Sequence, residues 1–370
     1  MRCFIAIDSG GTKTDAVLFE ETGHILARSL TQGCNAMDIG IGSACESLLG
    51  VLQNLAARIP RDGTLVSIYS GVAATDYFGG ELGRYIRPYF PDVTMRFEDD
   101  AVNLISGTLG HQDGCCIISG TGSSLYARIG ERIVHLGGWG YLIDTGGSGY
   151  AIGRDAILAV FRYCDGRAPY TRLYDLIQEQ MGMPPEKNIP GIYEGGRPYI
   201  ASFARTVFQA RKEGDAAAEE IFQKAVHALA ELTFAAERQF GGPYQGVLGG
   251  GIFAAFPEYA EELKAQASPM ATLIRATVPP ILGGVIEAMW GQAECSAKVR
   301  QRFLTEYKAD AMQRVSEWED GPVRISAPGR CVLGYSECIP AIACTGRGFT
   351  RALRARAFSH PSHARLCGPP

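Results

Sequence analysis

Apolar positions along this chain change period several times, and each change marks an element. Two apolar runs, Phe4-Ile5-Ala6-Ile7 and Ala16-Val17-Leu18-Phe19, read as strands. With a third segment they predict a meander over residues 2–8, 15–20 and 24–30, its second turn at Thr22-Gly23-His24. The period then lengthens. Ile41, Cys45, Leu48, Leu52, Leu55 and Ile59 recur at helical spacing before a strand at Leu65-Val66-Ser67-Ile68-Tyr69. A shorter helix near 80–88 precedes the strand Thr94-Met95-Arg96-Phe97, which together make a mixed sheet with crossover helices.

After residue 113 the pattern starts again, with a strand at 115–119, a glycine turn, and strands near 124–129 and 132–136. The same order appearing twice predicts two related domains with a cleft between them. The second half carries a helical insert over about 148–240, whose last helix aligns Phe222, Ala225, Leu229, Leu232, Ala236 and Phe240 on one face. A strand and third glycine turn, Gly246-Val247-Leu248-Gly249-Gly250-Gly251, close the insert, followed by a helix over about 254–267. The run from Pro279 to Met289 reads as a turn entering a final helix. The expected boundaries are therefore a first domain at 1–112, a second at 113–292 and an extension at 293–370.

Beyond about residue 309 the character changes: Arg occurs without Lys, four of the eleven cysteines gather there, and no apolar period is sustained. This stretch is expected to be disordered or non-native, as a translated frameshift would be. A basic arm for nucleic acid is disfavoured, since aromatic interleaving is sparse and the charge is not clustered.

Composition supports two compact domains: 370 residues at 46% hydrophobic and 20% charged suffice for real cores. A net charge of -4 and a pI near 5.9 provide no general field for nucleic acid or an anionic membrane, so phosphate binding has to be local. The apolar stretch after Arg2 is cut by Asp8 before a signal or membrane span is complete, and the cytoplasm is the expected location. The cysteines form neither CxxC pairs nor Cys/His clusters at metal spacing, so they read as reduced core residues. Cys115 and Cys116, adjacent in a strand, should face opposite sides of a sheet.

The glycine turns carry the chemistry. Between the first two strands lies Asp8-Ser9-Gly10-Gly11-Thr12-Lys13-Thr14-Asp15. Gly10 and Gly11 let backbone N–H groups approach an anion, and Thr12, Lys13 and Thr14 add hydroxyl and ammonium donors, although an ordinary hairpin turn would also use glycine. A second such turn is Ser119-Gly120-Thr121-Gly122-Ser123-Ser124. Two phosphate clamps imply a nucleotide held between two domains. No Gly-Lys-Ser/Thr P-loop occurs, and Gly120-Thr121-Gly122 lacks the third glycine of a dinucleotide fingerprint.

These residues, with Asp100-Ala101-Val102-Asn103, Gly137-Gly138-Trp139-Gly140 and Pro280-Ile281-Leu282-Gly283-Gly284, resemble the actin, hsp70 and hexokinase ATPase superfamily. Within it the chain is similar to the BadF/BadG/BcrA/BcrD ATPase and N-acetylglucosamine kinase family, over residues 1 to about 292. The resemblance implies an α/β fold of two ribonuclease-H-like domains with mixed β-sheets and an interdomain cleft. It implies ATP and Mg²⁺, phosphoryl transfer to a sugar hydroxyl, and N-acetylglucosamine as the acceptor. A kinase for another amino sugar such as glucosamine, and a regulatory or sugar-sensing ATPase on the same fold, are the alternatives. A small-molecule sugar is then the partner, without nucleic acid or membrane, and a homodimer is left open. Zinc-site sugar kinases are disfavoured by the missing metal cluster, and the family's iron–sulfur activators by the missing Asn-Asp-Lys-Cys-Ala-Ala-Gly-Thr-Gly signature.

Residue roles follow from the same resemblance. Asp100 is the candidate base at the family's Asp-Ala step, although Asp99 and Asp100 both also suit a helix N-cap. Asp8 would hold a Mg²⁺-bound water. Nucleotide contacts are expected from Gly10, Gly11, Thr12, Lys13 and Thr14, from Gly120, Thr121 and Gly122, and from Gly249 and Gly250. Sugar contacts are expected from Asn35, from Ser123 and Ser124, from Gly138, Trp139 and Gly140, and from Asp144 and Thr145. A turn role for Asn35 and a core role for Trp139 are the plain alternatives. The chain departs from the family at Asp144-Thr145-Gly146-Gly147-Ser148-Gly149, where the family reads Gly-Asp-Glu-Gly-Ser-Gly. Thr145 takes the aspartate's place and the carboxylate moves one position back, which bears on the choice of sugar.

Overall fold

The computed structural model describes residues 1–319. Its first sheet holds β1 (Arg2–Ser9), β2 (Lys13–Glu20), β3 (Ile25–Gln32), β4 (Thr64–Val72) and β5 (Thr94–Glu98), in the order β3-β2-β1-β4-β5. The meander β1–β3 is antiparallel, while β1, β4 and β5 run parallel. Helices α1 (Ala36–Ile39), α2 (Ile41–Ala56) and α3 (Thr75–Ile86) form the crossovers, and α4 (Asp100–Leu109) leads onward.

The second sheet repeats this wiring. It holds β6 (Gly114–Ser119), β7 (Ser123–Ile129), β8 (Arg132–Leu136), β9 (Tyr244–Gly249) and β10 (Ala271–Arg275), in the order β10-β9-β6-β7-β8. Again the first three strands are antiparallel and the last two join in parallel. The duplication expected from the pattern is therefore present strand for strand. Between β8 and β9 the insert runs through α5 (Gly149–Cys164), α6 (Leu173–Met181), α7 (Ile189–Ser202), α8 (Ala204–Lys212) and α9 (Ala216–Phe240).

Strand alternation sorts the cores. Cys3, Ile5 and Ile7 pack with Leu48 and Leu52 of α2, while Phe4 and Ala6 turn to the opposite face. Cys115 faces the helical insert and Cys116 faces α4, where its Sγ lies 3.3 Å from Ala101 O, so the adjacent pair does split across the sheet.

The chain after β9 departs from expectation. The helix expected at 254–267 is broken into α10 (Gly251–Ala255) and α11 (Pro257–Gln266), because Pro257 ends one helix and starts the next. β10 was not legible: it is a short edge strand with Leu273 as its buried residue. Helix α12 (Ile281–Met289), expected in the second domain, packs instead on the first sheet with Phe4, Ala6 and Tyr69. The glycine of its motif explains the docking. A Cβ at Gly283 would sit 1.9 Å from Asn103 O, so α12 and α4 cross with their backbones in contact.

Residues 293–310 also correct the expected extension. Helix α13 (Ala297–Glu319) buries Phe303 against Phe19, with ring centroids 6.2 Å apart, and Asp310 Oδ2 pairs with Arg28 at 2.8 Å. Tyr307 donates to Asp15 at 2.6 Å. This segment completes the first core rather than leaving it, while the expectation for 320–370 lies outside the described residues.

Candidate active site

The two aspartates at the start of α4 divide their work. Asp99 is the N-cap: Oδ1 accepts from Ala101 N and Oδ2 from Ala74 N, both at 3.1 Å. Asp100, one residue on, points to the first glycine turn, where a Cβ on Gly10 would lie 3.2 Å from Oδ2. Burial, then the charges of Asp99 and Asp8, push the Asp100 carboxyl well above the usual aspartate range. Asp8, ending β1 nearby, is pushed up to about 6 by burial, against the lowering effects of Asn103 and Lys13.

In the first turn neither Gly10 nor Gly11 has positive φ; both are small because side chains approach them, Asp100 at Gly10 and Asp38 at Gly11. Thr12 is exposed and Lys13 half-buried. Thr14 corrects the expected donor set. Its hydroxyl is buried, 2.9 Å from Gln32 O and 2.7 Å from Ser9 Oγ, so it is taken up in stitching β1 to β3.

The second and third turns lie together. Gly120 and Gly122 have open space where a Cβ would be, and Gly120 O accepts from Gly149 N at the start of α5, 2.7 Å away. Thr121 is exposed. Gly250 adopts φ 98° with its Cβ position 2.3 Å from Ser119 O, so only glycine fits against the end of β6. Gly249, by contrast, packs on Leu104 of α4 and serves the core. Ser123 is likewise taken up internally, donating to Gly146 O at 2.8 Å, while Ser124 is half-buried.

The glycine–tryptophan loop sits on that second turn. Gly138 (φ 73°) lies so close to Ser123 O that a Cβ would stand 2.1 Å away. Trp139 is 50% exposed and tilts 44° against the His135 ring, whereas Gly140 has open space where a Cβ would be. Asp144 folds back on the loop, with Oδ2 accepting from Gly138 N at 2.9 Å. Thr145 is buried with its hydroxyl 2.8 Å from that of Ser148, the N-cap of α5, which withdraws it from a sugar-facing role. Beside the first glycine turn Asn35 caps α1, accepting from Met37 N at 2.9 Å, with its amide nitrogen towards Gly11.

Several residues of this region have no role assigned from sequence. Asn103, one turn after Asp100 on α4, donates to Asp8 Oδ1 at 2.8 Å; its spacing from Asp100 was the available signal. Asp38 of α1 pairs with Arg197 of α7 at 3.2 Å. Asp76, Tyr126 and His135 gather beside Asp99 with no local pattern to announce them.

A duplicated sheet carrying glycine turns at matching hairpins, with a carboxylate group beside the first, defines the two-domain actin-like ATPase class that includes sugar kinases. The chain belongs to the BadF/BadG/BcrA/BcrD ATPase family, whose model matches residues 5–288, and ATP is accordingly its nucleotide. It is similar to N-acetyl-D-glucosamine kinase of Dictyostelium discoideum, 29% identical over 257 residues, or 64% of this chain and 80% of that one. An N-acetylmuramic acid/N-acetylglucosamine kinase of Clostridium acetobutylicum is 35% identical over 135 residues, covering 35% of this chain and 44% of its own. Among solved structures, a protein of Chromobacterium violaceum provisionally described as an N-acetylglucosamine kinase shares the fold. Its TM-score is 0.61 at 21% identity, over 77% of this chain and 98% of that one. Among the described residues no helix is long and apolar enough to cross a membrane.

Proposed function

We propose that this protein transfers the γ-phosphoryl group of ATP to a hydroxyl of an amino sugar, N-acetylglucosamine first among candidates, as its family relatives are named for doing. One observation carries the reading. Asp99 takes the helix cap, and Asp100 is thereby left as a half-buried carboxyl beside the first glycine turn. Its raised pKa makes it a stronger base than a solvated aspartate. As the sugar oxygen bonds to phosphorus, Asp100 takes the hydroxyl proton and the bond to ADP breaks.

The remaining residues bind and orient. Gly10, Gly11, Thr12 and Lys13 on one side, and Gly120, Thr121, Gly122 and Gly250 on the other, present backbone and side-chain donors to the phosphates. Trp139 offers an apolar wall to the sugar, Asn35 beside the first glycine turn offers a polar contact, and Asp144 holds the wall's loop in shape. Asp8 is the residue that would hold Mg²⁺, with one oxygen fixed by Asn103 and the ion keeping several of its waters. When bound, the ion would offset charge on the β- and γ-phosphates. Cytoplasmic ATP supplies the donor in this reading.

The test is ADP release over a panel of sugars, each with and without ATP-only controls. Release that depends on N-acetylglucosamine supports the kinase; release indifferent to every sugar would favour the regulatory ATPase.

A further inference from the structure

His135 of β8 is held by aromatic neighbours and by the opposite sheet. It stacks parallel on Tyr126, its cross-strand partner, with centroids 4.4 Å apart and planes 3° from parallel, and it meets Trp139 at 4.4 Å. Its Nδ1 lies 3.5 Å from Asp76 Oδ2 on α3. The side chain is only 10% exposed, and Nε2 is buried without a partner. A phenylalanine would fill the same space without that orphaned atom, so what the imidazole adds is the contact with Asp76.

Asp76 is itself placed by the carboxyl pair. Ala74, at the N-cap of α3, is the non-glycine residue with left-handed φ (69°) among the described residues, a conformation its Cβ disfavours. Its N–H donates to Asp99 Oδ2, so the group that caps α4 also holds the turn presenting Asp76. Tyr126 faces the same two carboxylates, Asp76 and Asp99.

We propose that His135 and Tyr126 are positioning residues for phosphoryl transfer, tying the Trp139 wall on the second sheet to the Asp99–Asp100 pair on the first through Asp76. The inference rests on Asp100 as base and Trp139 as sugar wall. A sugar seated on Trp139 is carried by one sheet and its base by the other, and misplacement by about 1 Å can cost on the order of a hundredfold in rate. The 3.5 Å contact is long for a hydrogen bond, as catalytic contacts often are before substrate closes the site.

Tyr126→Phe removes only a hydroxyl, and His135→Phe keeps the aromatic stack while removing Nδ1. Each should lower kcat per folded molecule about tenfold or more while the KM for ATP stays within about twofold, a split that lost folding alone would not produce. Combining His135→Phe with Asp76→Asn should cost no more than the worse single variant, because both break one contact. A kcat within about twofold of the parent in both phenylalanine variants would overturn the proposal, as would losses that multiply in the double variant. Asp100→Asn is assayed alongside: if it keeps turnover, the base assignment falls, and if it is inactive while both phenylalanine variants are unaffected, this inference alone falls.

Discussion

Arg128 Nη2 lies 2.7 Å from Glu287 Oε1, and the two side chains are 4% and 0% exposed. The same carboxylate receives Arg96 Nη2 at 2.7 Å, the Ser106 hydroxyl and His111 Nδ1 at 3.1 Å. One buried charge on α12 thus joins β5 of the first sheet, β7 of the second and the α4 helix between them. Removing it would strand the Arg128 guanidinium, whereas Arg96 keeps Glu98 at 3.8 Å. Glu287→Gln is expected to cost about 3–5 kcal/mol, the usual loss when one partner of a buried ion pair is deleted. Urea unfolding measures it, and a loss below about 1 kcal/mol would show that the cluster contributes little.

The same site sets an acid limit. Burial pushes the Glu287 carboxyl up, but Arg128, Ser106, Arg96 and His111 together hold it below the ordinary value of 4.5. A folded pKa below the unfolded one stabilises fully above the unfolded value and ceases to stabilise as pH falls through the folded one. Stability of the parent should therefore drop on acidification below about pH 4.5, and Glu287→Gln should show a shallower drop over the same range. Parallel slopes in the two proteins would assign the acid sensitivity elsewhere.

Asp100→Asn should reduce turnover by about 10²- to 10⁴-fold with ATP binding intact, the range for loss of a general base. Asp99→Asn should act mainly on stability, by about 0.5–2 kcal/mol at most, because asparagine also caps helices. Steady-state kinetics with thermal melting of both variants decides the assignment; the reverse pattern would make Asp99 the base.

Asp144→Asn is expected to raise the KM for the sugar more than that for ATP, since the carboxylate accepts from Gly138 N and shapes the loop carrying Trp139. A hydrogen bond to a charged group is worth about 1.5–3 kcal/mol, which corresponds to roughly tenfold or more in sugar KM. An effect confined to ATP would separate this loop from the acceptor site.

Phe303→Ala should destabilise the protein by about 3–5 kcal/mol, the range for emptying a buried aromatic position. Its ring is fully buried with Phe4 and Phe19 in the first core. Denaturant titration tests it, and a change under about 1 kcal/mol would show α13 to be loosely attached.

Local chemistry determined what the sequence showed by itself. Apolar period and turn glycines marked the two meanders, their crossover helices and the turns at Gly10 and Gly120, because strand, helix and turn preferences act over a few neighbouring residues. The repeat of that order made the duplicated fold legible before any contact was known. Tertiary structure alone decided how side chains are spent. Thr14, Ser123 and Thr145 look like ligand donors in sequence, yet their hydroxyls are consumed by Gln32 O, Gly146 O and Ser148. Asp99 and Asp100 are interchangeable on the chain and distinct in space, since only one can occupy the cap. The return of α12 to the first sheet, the burial of Phe303 and the Glu287 cluster depend on partners 159 to 284 residues away, as with Arg128 and Phe19. Hydrogen-bond valence and close packing choose among such partners in three dimensions, and no period along one chain records that choice.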